Sequence, residues 1–251
     1  MKDQQIKSGI TDCWNKESGT YDNSACHGVL TEYEKRMWIR TFSQIIPDTS
    51  QQLSVLDVGC GTGAMGLIFA EMGCDVTGID LSECMIDIGR HKSEKYNLNM
   101  KFQVGDAESL PFPDNSVDIV INRHLLWTLP NPSTALSEWY RVLKPNGILI
   151  VIDWSPANNS IINTIRKKLS YMLSKLFRNH IHSQYPAQIV RTLPNYSGIP
   201  ESKAKKYVDD AGFRSISILN IDHIQKDQRQ RFKWYQKLEP YYPHYLITGK
   251  K

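Results

Sequence analysis

A run of glycines between two carboxylates is the first chemistry this sequence offers. In LDVGCGTGAMG, residues 56–66, Gly59, Gly61 and Gly63 alternate with Cys60 and Thr62, Asp57 stands two residues ahead, and Gly61, Gly63 and Gly66 also spell G-x-G-x-x-G. A strand that ends in glycines and feeds a helix brings backbone N–H groups against a ligand, because only glycine allows so close an approach. Asp80, about 20 residues beyond the turn, stands where an acidic residue takes ribose hydroxyls. Those two features suit a nicotinamide cofactor and a methyl donor equally.

Three details lean toward the methyl donor. Asp57 lies inside the strand ahead of the glycines, where an acid can hold an ammonium group, which S-adenosylmethionine has and a nicotinamide cofactor lacks. GDAESLPF, residues 105–112, puts Asp106 at the end of a strand, where its carboxylate can accept from an exocyclic adenine amine. The closing order of helix, strand and strand, with the terminal run HYLITGKK, fits a sheet finished by a reversed hairpin.

These residues need a scaffold, and the pattern supplies one. The apolar runs SVLDVG, DVTGID, MKFQVG, SVDIVIN and GILIVIDW alternate with helix-like stretches between Leu53 and Trp154, which is how a parallel sheet covered by helices reads. Leu67, Ile68 and Ala70 offer a buried helix face, with Gly73 at the C-cap. Asn131 can cap a helix opened by Pro132, and KPNG then turns the chain into the fifth strand. Regularity breaks after Trp154 and resumes at PESKAKKYVDDAGF. The expected organisation is a single domain over 1–251: an N-terminal helical cover at 1–50, a ligand-binding core at 51–154, a helical lid insertion at 155–199, and a C-terminal helix and strand hairpin at 200–251.

LDVGCGTG, VTGIDLSECMI, GDAESLPFPDNSVDIVI and EWYRVLKPNGILIVID together resemble the class I S-adenosylmethionine-dependent methyltransferases, in the group that acts mostly on small molecules. The resemblance implies a Rossmann-like, doubly wound α/β sheet of seven strands, six parallel and the last antiparallel. It implies that Asp57 and the main chain from Gly59 through Cys60 and Gly61 to Gly63 hold the methionine part of the donor. Asp80 would bind the ribose with Leu81 beside the adenine, Asp106 and Ala107 would sit at the adenine edge, and Met85 joins the donor set. Asn122 or Arg123 would border the sulfonium, and Tyr21 in SGTYD would close over the donor. One departure is Gly89, where the pattern usually has alanine; it weakens a helix slightly.

An acceptor would lie beyond the carboxyl ends of the strands. There NRHLLWTLPNP places His124, a candidate general base, and Trp127; the fifth strand ends at Trp154, and the insertion adds Tyr185 with His180 and His182. Trp127, Trp154 and Tyr185 are the candidate acceptor contacts. Five cysteines without a C-x-x-C pair, of which Cys13 and Cys26 fall nearest the expected pocket mouth, make a metal or metalloid site the lesser reading. No metal is expected.

With 30 Lys and Arg against 26 Asp and Glu, the net charge of +4 is far from the footprint of a dedicated nucleic-acid binder. NRHL also departs from the Asn/Asp-Pro-Pro-aromatic segment common in enzymes that methylate base amines. The longest apolar run is too short for a membrane span, and no signal-like start is seen, which points to a reducing cytoplasm. The expected function is methyl transfer to a small-molecule acceptor with release of S-adenosylhomocysteine. SIINTIRKKLSYMLSKLF, residues 160–177, reads as a basic amphipathic helix: a lid whose apolar face covers the acceptor pocket, or a surface for a membrane or RNA. An RNA or protein methyltransferase docking through that helix, a non-catalytic donor-binding regulator and, more remotely, an oxidoreductase are the competing functions.

Overall fold

The apolar runs become strands. A computed structural model describes residues 3–22, 27–29, 31–158, 160–177 and 185–251. Two helices, α1 (Asp3–Tyr21) and α2 (Glu32–Ser43), precede the sheet. Then follow β1 (Ser54–Val58), α3 (Gly66–Glu71), β2 (Asp75–Asp80), α4 (Glu83–Lys95), β3 (Met100–Val104), β4 (Val117–Arg123), α5 (Pro132–Val142) and β5 (Leu143–Trp154). The chain continues through α6 (Ile161–Leu176), α7 (Ala187–Val190), α8 (Glu201–Asp210), β6 (Arg214–Asn220), α9 (Asp222–Gln230) and β7 (His244–Lys250). The seven strands form one sheet in the order β3-β2-β1-β4-β5-β7-β6. β7 runs antiparallel to both its neighbours, so the other six share one direction, as expected.

Alternation along the strands sends side chains to two apolar layers. Leu56, Val58, Val120 and Val151 point to the side covered by α5 and α8, around the fully buried Trp139, whose indole N–H donates to the Ala107 carbonyl at 3.0 Å. Val55, Ile121, Ile150 and Ile152 point to the other, with Trp38, Phe42 and Phe69. Burying each such side chain contributes about 1.5–3 kcal/mol, so both faces are firmly covered and the strand ends are left as the open rim.

Several local expectations change. KPNG is a bulge inside β5 rather than a turn before it: Leu143 pairs with Val117 and Ile148 with Ile119, and Asn146 takes a φ of 65° to let the chain swell between them. Asn131 sits at the N-cap of α5 without a side-chain capping bond; its amide instead donates to Glu108. Phe69, not Ala70, is the deepest residue of α3. The final two strands are not a tight hairpin, since α9 intervenes. That helix is anchored to the N-terminal cover: the buried Glu34 of α2 accepts from Arg231 and from Gln228, each at 2.6 Å. Among the described residues no helix is long and apolar enough to cross a membrane.

Candidate functional site

The glycine turn follows β1 at the middle of the rim. Gly59, Gly61 and Gly63 have φ of 65°, 52° and 78°, a region that L side chains rarely adopt. Asp57 is buried on the α3 side of β1, and its Oδ2 accepts the Gly66 N–H at 2.8 Å. It therefore caps α3. Its other oxygen accepts no hydrogen bond among the described residues. Gly66 is more than a small helical residue, because a Cβ there would come within 2.9 Å of that Oδ2 and 2.4 Å of Met100. Burial, with the nearby Asp80 adding to it, pushes the Asp57 carboxyl up to about 7 against the Gly66 N–H and Arg123. Asp80 ends β2 and accepts from the Gly61 N–H at 2.9 Å and the Ser82 N–H at 2.8 Å, and burial raises its pKa as well.

Helix α1 lies across this turn. Lys7 bonds Asp106 at 2.8 Å and Glu108 at 2.7 Å, Asn15 accepts from the Ser82 hydroxyl at 2.6 Å, and Asp22 accepts from the Thr62 hydroxyl at 2.6 Å and from Lys92 at 3.0 Å. Tyr21 ends the helix above Gly61, whose added Cβ would sit 3.7 Å from the ring, and burial pushes the phenol up to about 12. Asp106 is thus held by Lys7 through one oxygen and by the Glu108 N–H through the other. Leu81 is half-buried, whereas Met85 and Ala107 are buried beneath the rim.

At the ends of β4 and β5, Asn122 and Asp153 are both fully buried on the face that carries Val120 and Val151. The Asn122 amide makes no hydrogen bond through either atom, and Asp153 Oδ2 and the Trp127 indole N–H also lack partners among the described residues. Such buried polar atoms mark places where a ligand can complete the bonding. Burial pushes Asp153 up to about 7 against the backbone N–H groups of Trp154, Leu126 and Trp127. Arg123 donates to the His27 carbonyl.

His124 takes a left-handed φ of 57°, a strained position for a side chain beside a site. Its ring faces a small cavity lined by Trp38, Arg123, Ile152, Ile221 and His244 rather than the tryptophans after it. It lies 5.1 Å from the His244 ring and 5.9 Å from the His27 ring, and His27 stacks on Tyr21 at 4.5 Å. Burial, then the neighbouring His244, Arg123 and His27, pull the His124 pKa well below 6.5. His244 falls to about 4, again mainly through burial.

The three candidate acceptor contacts converge. Trp127 lies 6.0 Å from Tyr185, 6.4 Å from Trp154 and 6.3 Å from Trp14, with Tyr196 closing the group at 6.0 Å. Tyr185 is tied to Thr128 through their hydroxyls at 2.6 Å, and the Trp154 ring lies so close to Gly198 that a Cβ there would come within 2.4 Å of it. Sequence reasoning missed Trp14, Lys7 and His244. The first two share α1 with the buried Ile6, Ile10, Cys13 and Glu17, whose spacing was the readable signal of a packed helix; His244 lay in a strand with nothing to single it out.

One expectation fails here. The apolar stripe of α6 does not cover the acceptor site: Ile161, Ile162, Ile165, Leu169, Met172 and Leu176 are exposed, and the residues turned inward are Arg166, Ser170 and Leu173. The helix leans on the turn at Gln236–Leu238 through Arg166, which donates to the Leu238 carbonyl at 3.0 Å. Cys13 is buried with Tyr185, Ile189 and Leu193 beside the aromatic wall, and burial raises its thiol pKa, which favours the thiol over the thiolate. Cys26, His180 and His182 lie outside the described residues. Among those described, no group of His, Cys, Asp and Glu could hold a metal ion.

Residues 56–151 match the family described as Methyltransferase domain. The ubiquinone/menaquinone biosynthesis C-methyltransferase UbiE of Marinomonas sp. is 30% identical over 247 residues, covering 88% of this chain and 95% of the relative. The demethylmenaquinone methyltransferase of Listeria welshimeri is 34% identical over 66% of this chain and 72% of its own length. Among solved structures, phosphoethanolamine N-methyltransferase 2 of Haemonchus contortus with bound S-adenosyl-L-methionine shares the fold, with a TM-score of 0.65, 17% identity, and coverage of 94% of this chain and 57% of that one. Matched along nearly the whole of a curated relative, this chain belongs to the S-adenosylmethionine-dependent methyltransferases and is an enzyme that moves a methyl group from that donor to a small-molecule acceptor.

Proposed function

We propose that the acceptor is a flat, largely apolar ring of the quinol type, methylated on a ring carbon. The observation that carries this reading is the aromatic wall of Trp14, Trp127, Trp154, Tyr185 and Tyr196 at the ends of β4 and β5. Such a wall suits stacking of a planar ring. Two relatives named for quinone methylation support it. The orphaned amide of Asn122 and indole N–H of Trp127 suit the ring's oxygen substituents.

The donor residues fit this assignment. The raised carboxyl of Asp57 would take the donor's ammonium, Asp80 the ribose, and the N–H groups of Gly59–Gly63 the carboxylate. Asp106 would receive the adenine amine beside Lys7, and Tyr21 would shut the cleft from water. When bound, the donor supplies a methyl group made electrophilic by a positively charged sulfur. The chain's task is to hold a nucleophilic carbon in line behind that methyl and keep the space dry. As the carbon–methyl bond formed and the methyl–sulfur bond broke, the electron pair would leave with sulfur and the proton on the methylated ring carbon would pass to solvent. The His124 ring turns to His244 rather than to the aromatic wall and, kept neutral by burial, would bound the site without taking the acceptor's proton.

The test is turnover of a short-chain demethylated naphthoquinol under reducing conditions with methyl-labelled donor. Product heavier by one methylene group supports the reading. Donor turnover on phosphoethanolamine or RNA, with none on the quinol, would replace it.

A further inference from the structure

The apolar stripe of α6 has no partner among the described residues. Ile161 is 80% exposed and Leu176 71%, and Ile162, Ile165, Leu169 and Met172 complete the row between them. At about 100° per residue this stripe lies roughly 110° around the helix from the face of Arg166, Ser170 and Leu173 that meets the protein. Chance exposure of single apolar side chains is ordinary, but six in register on one helix are an interaction surface.

Charge identifies what covers it. The sixteen residues of α6 contain Arg166, Lys167, Lys168 and Lys175 and no acid. Lys168 and Lys175 fall on the open flank of the stripe, beyond its outer edge. On the other flank Phe177 stands edge-on to Trp234 at 6.2 Å, and Trp234 is 64% exposed. We propose that this face docks on the surface of an anionic phospholipid bilayer, with α6 lying in the plane of the headgroups. The stripe enters the acyl boundary, Lys168 and Lys175 reach phosphate, and the Trp234 indole sits where tryptophan settles in membranes.

Other occupants match less of what is present. Two copies meeting through this face would set like charges against one another, with no acid in α6 to offset them. RNA would satisfy the lysines but leave the stripe in water. The helix is too short and too charged to span a bilayer, so it lies on one. The surface is distinct from the donor cleft, and the docking holds whatever the acceptor proves to be.

Flotation of the purified full-length chain with phosphatidylcholine vesicles, with and without phosphatidylglycerol, tests this. The chain is expected to rise with the anionic vesicles, roughly thirtyfold more strongly than with the neutral ones if Lys168 and Lys175 engage, and to detach partly in high salt. A chain carrying Leu169→Glu and Met172→Glu should stay at the bottom while binding S-adenosylhomocysteine as before, which shows that it is folded. Failure of the unaltered chain to float overturns the proposal. So does flotation of the double variant, or light scattering that shows a dimer which the double variant dissolves.

Discussion

Lys7 on α1 and Asp106 just past β3 stand 2.8 Å apart, nitrogen to oxygen, with Glu108 at 2.7 Å on the same ammonium. A helix that precedes the sheet thus closes the cleft from above by gripping its far wall. Burial works against the charge on Lys7, but its bonds to Asp106, Glu108 and Asp3 outweigh that, so it stays protonated throughout the neutral range. Lys7→Met should loosen α1 and speed the release of S-adenosylhomocysteine several-fold, with a smaller change in its rate of entry. Stopped-flow fluorescence of Trp14, which moves with the helix, reads both rates. Unchanged release would mean that Lys7 packs without latching.

Asp57 makes donor binding depend on pH. Burial holds its carboxyl near 7 in the free protein, and only the carboxylate attracts an ammonium. Affinity for S-adenosylhomocysteine should therefore be about tenfold weaker at pH 6 than at pH 8, with protons released on binding below pH 7. The raised value also has a sign for folding: between 3.8 and about 7 the native state holds a proton that the unfolded chain gives up, so this group lowers stability as pH rises through that window. Calorimetry in buffers of different ionisation enthalpy measures the first effect. Asp57→Asn should bind weakly and show no such slope; a slope that survives this change belongs to another group.

Burial, with His244, Arg123 and His27 beside it, disfavours the protonated form of His124, and its ring faces His244 rather than the aromatic wall, so it should act as cavity wall and add no inflection to the rate near its ordinary pKa. His124→Asn, chosen because asparagine tolerates the left-handed backbone at this position, should leave kcat nearly unchanged. Donor affinity should be unaffected. A loss of kcat by about a hundredfold or more would instead make His124 the proton acceptor.

Gly89 shows how a departure from a family pattern can have a local cause. Alanine there would gain about 1 kcal/mol in helix propensity, but its Cβ would come within 2.4 Å of Phe102, whose ring also packs on Gly63. Gly89→Ala is therefore expected to destabilise the protein by about 1–3 kcal/mol and to disturb the glycine turn through the shared ring. Urea unfolding checks the first and donor binding the second. A stabilised variant would show that Phe102 can move aside freely.

The core was legible because its signals are local. Period-two apolar runs, glycines at a strand end and an acid at the next one each depend on neighbours within a few residues, and the strands, the cradle and Asp80 follow directly. The cover and the tail were harder. α9, in DHIQKDQRQ, buries Gln225 and Gln228 as well as Ile224, so its inward face carries little apolar periodicity; it holds through contacts to α2, nearly 200 residues away in the chain. In α6 the amphipathic pattern was read correctly, but nothing in a period of 3.6 says which way the stripe faces. The same holds for Asp106, whose partner Lys7 lies 99 residues away.

The reversed strand also sets an order of assembly. β7 follows β5 and β6 along the chain, yet it lies between them and pairs with β5 from His244 to Lys250 and with β6 from Tyr245 to Lys250. During synthesis β6 emerges with no edge to join, and β5 presents an open, strongly apolar flank until residues 244–250 leave the ribosome. A nascent chain arrested before that point would expose this edge to chaperones and to other copies of itself. Completion of the sheet is thus postponed to its final seven-residue addition, and that brief interval is when the protein is most exposed to aggregation.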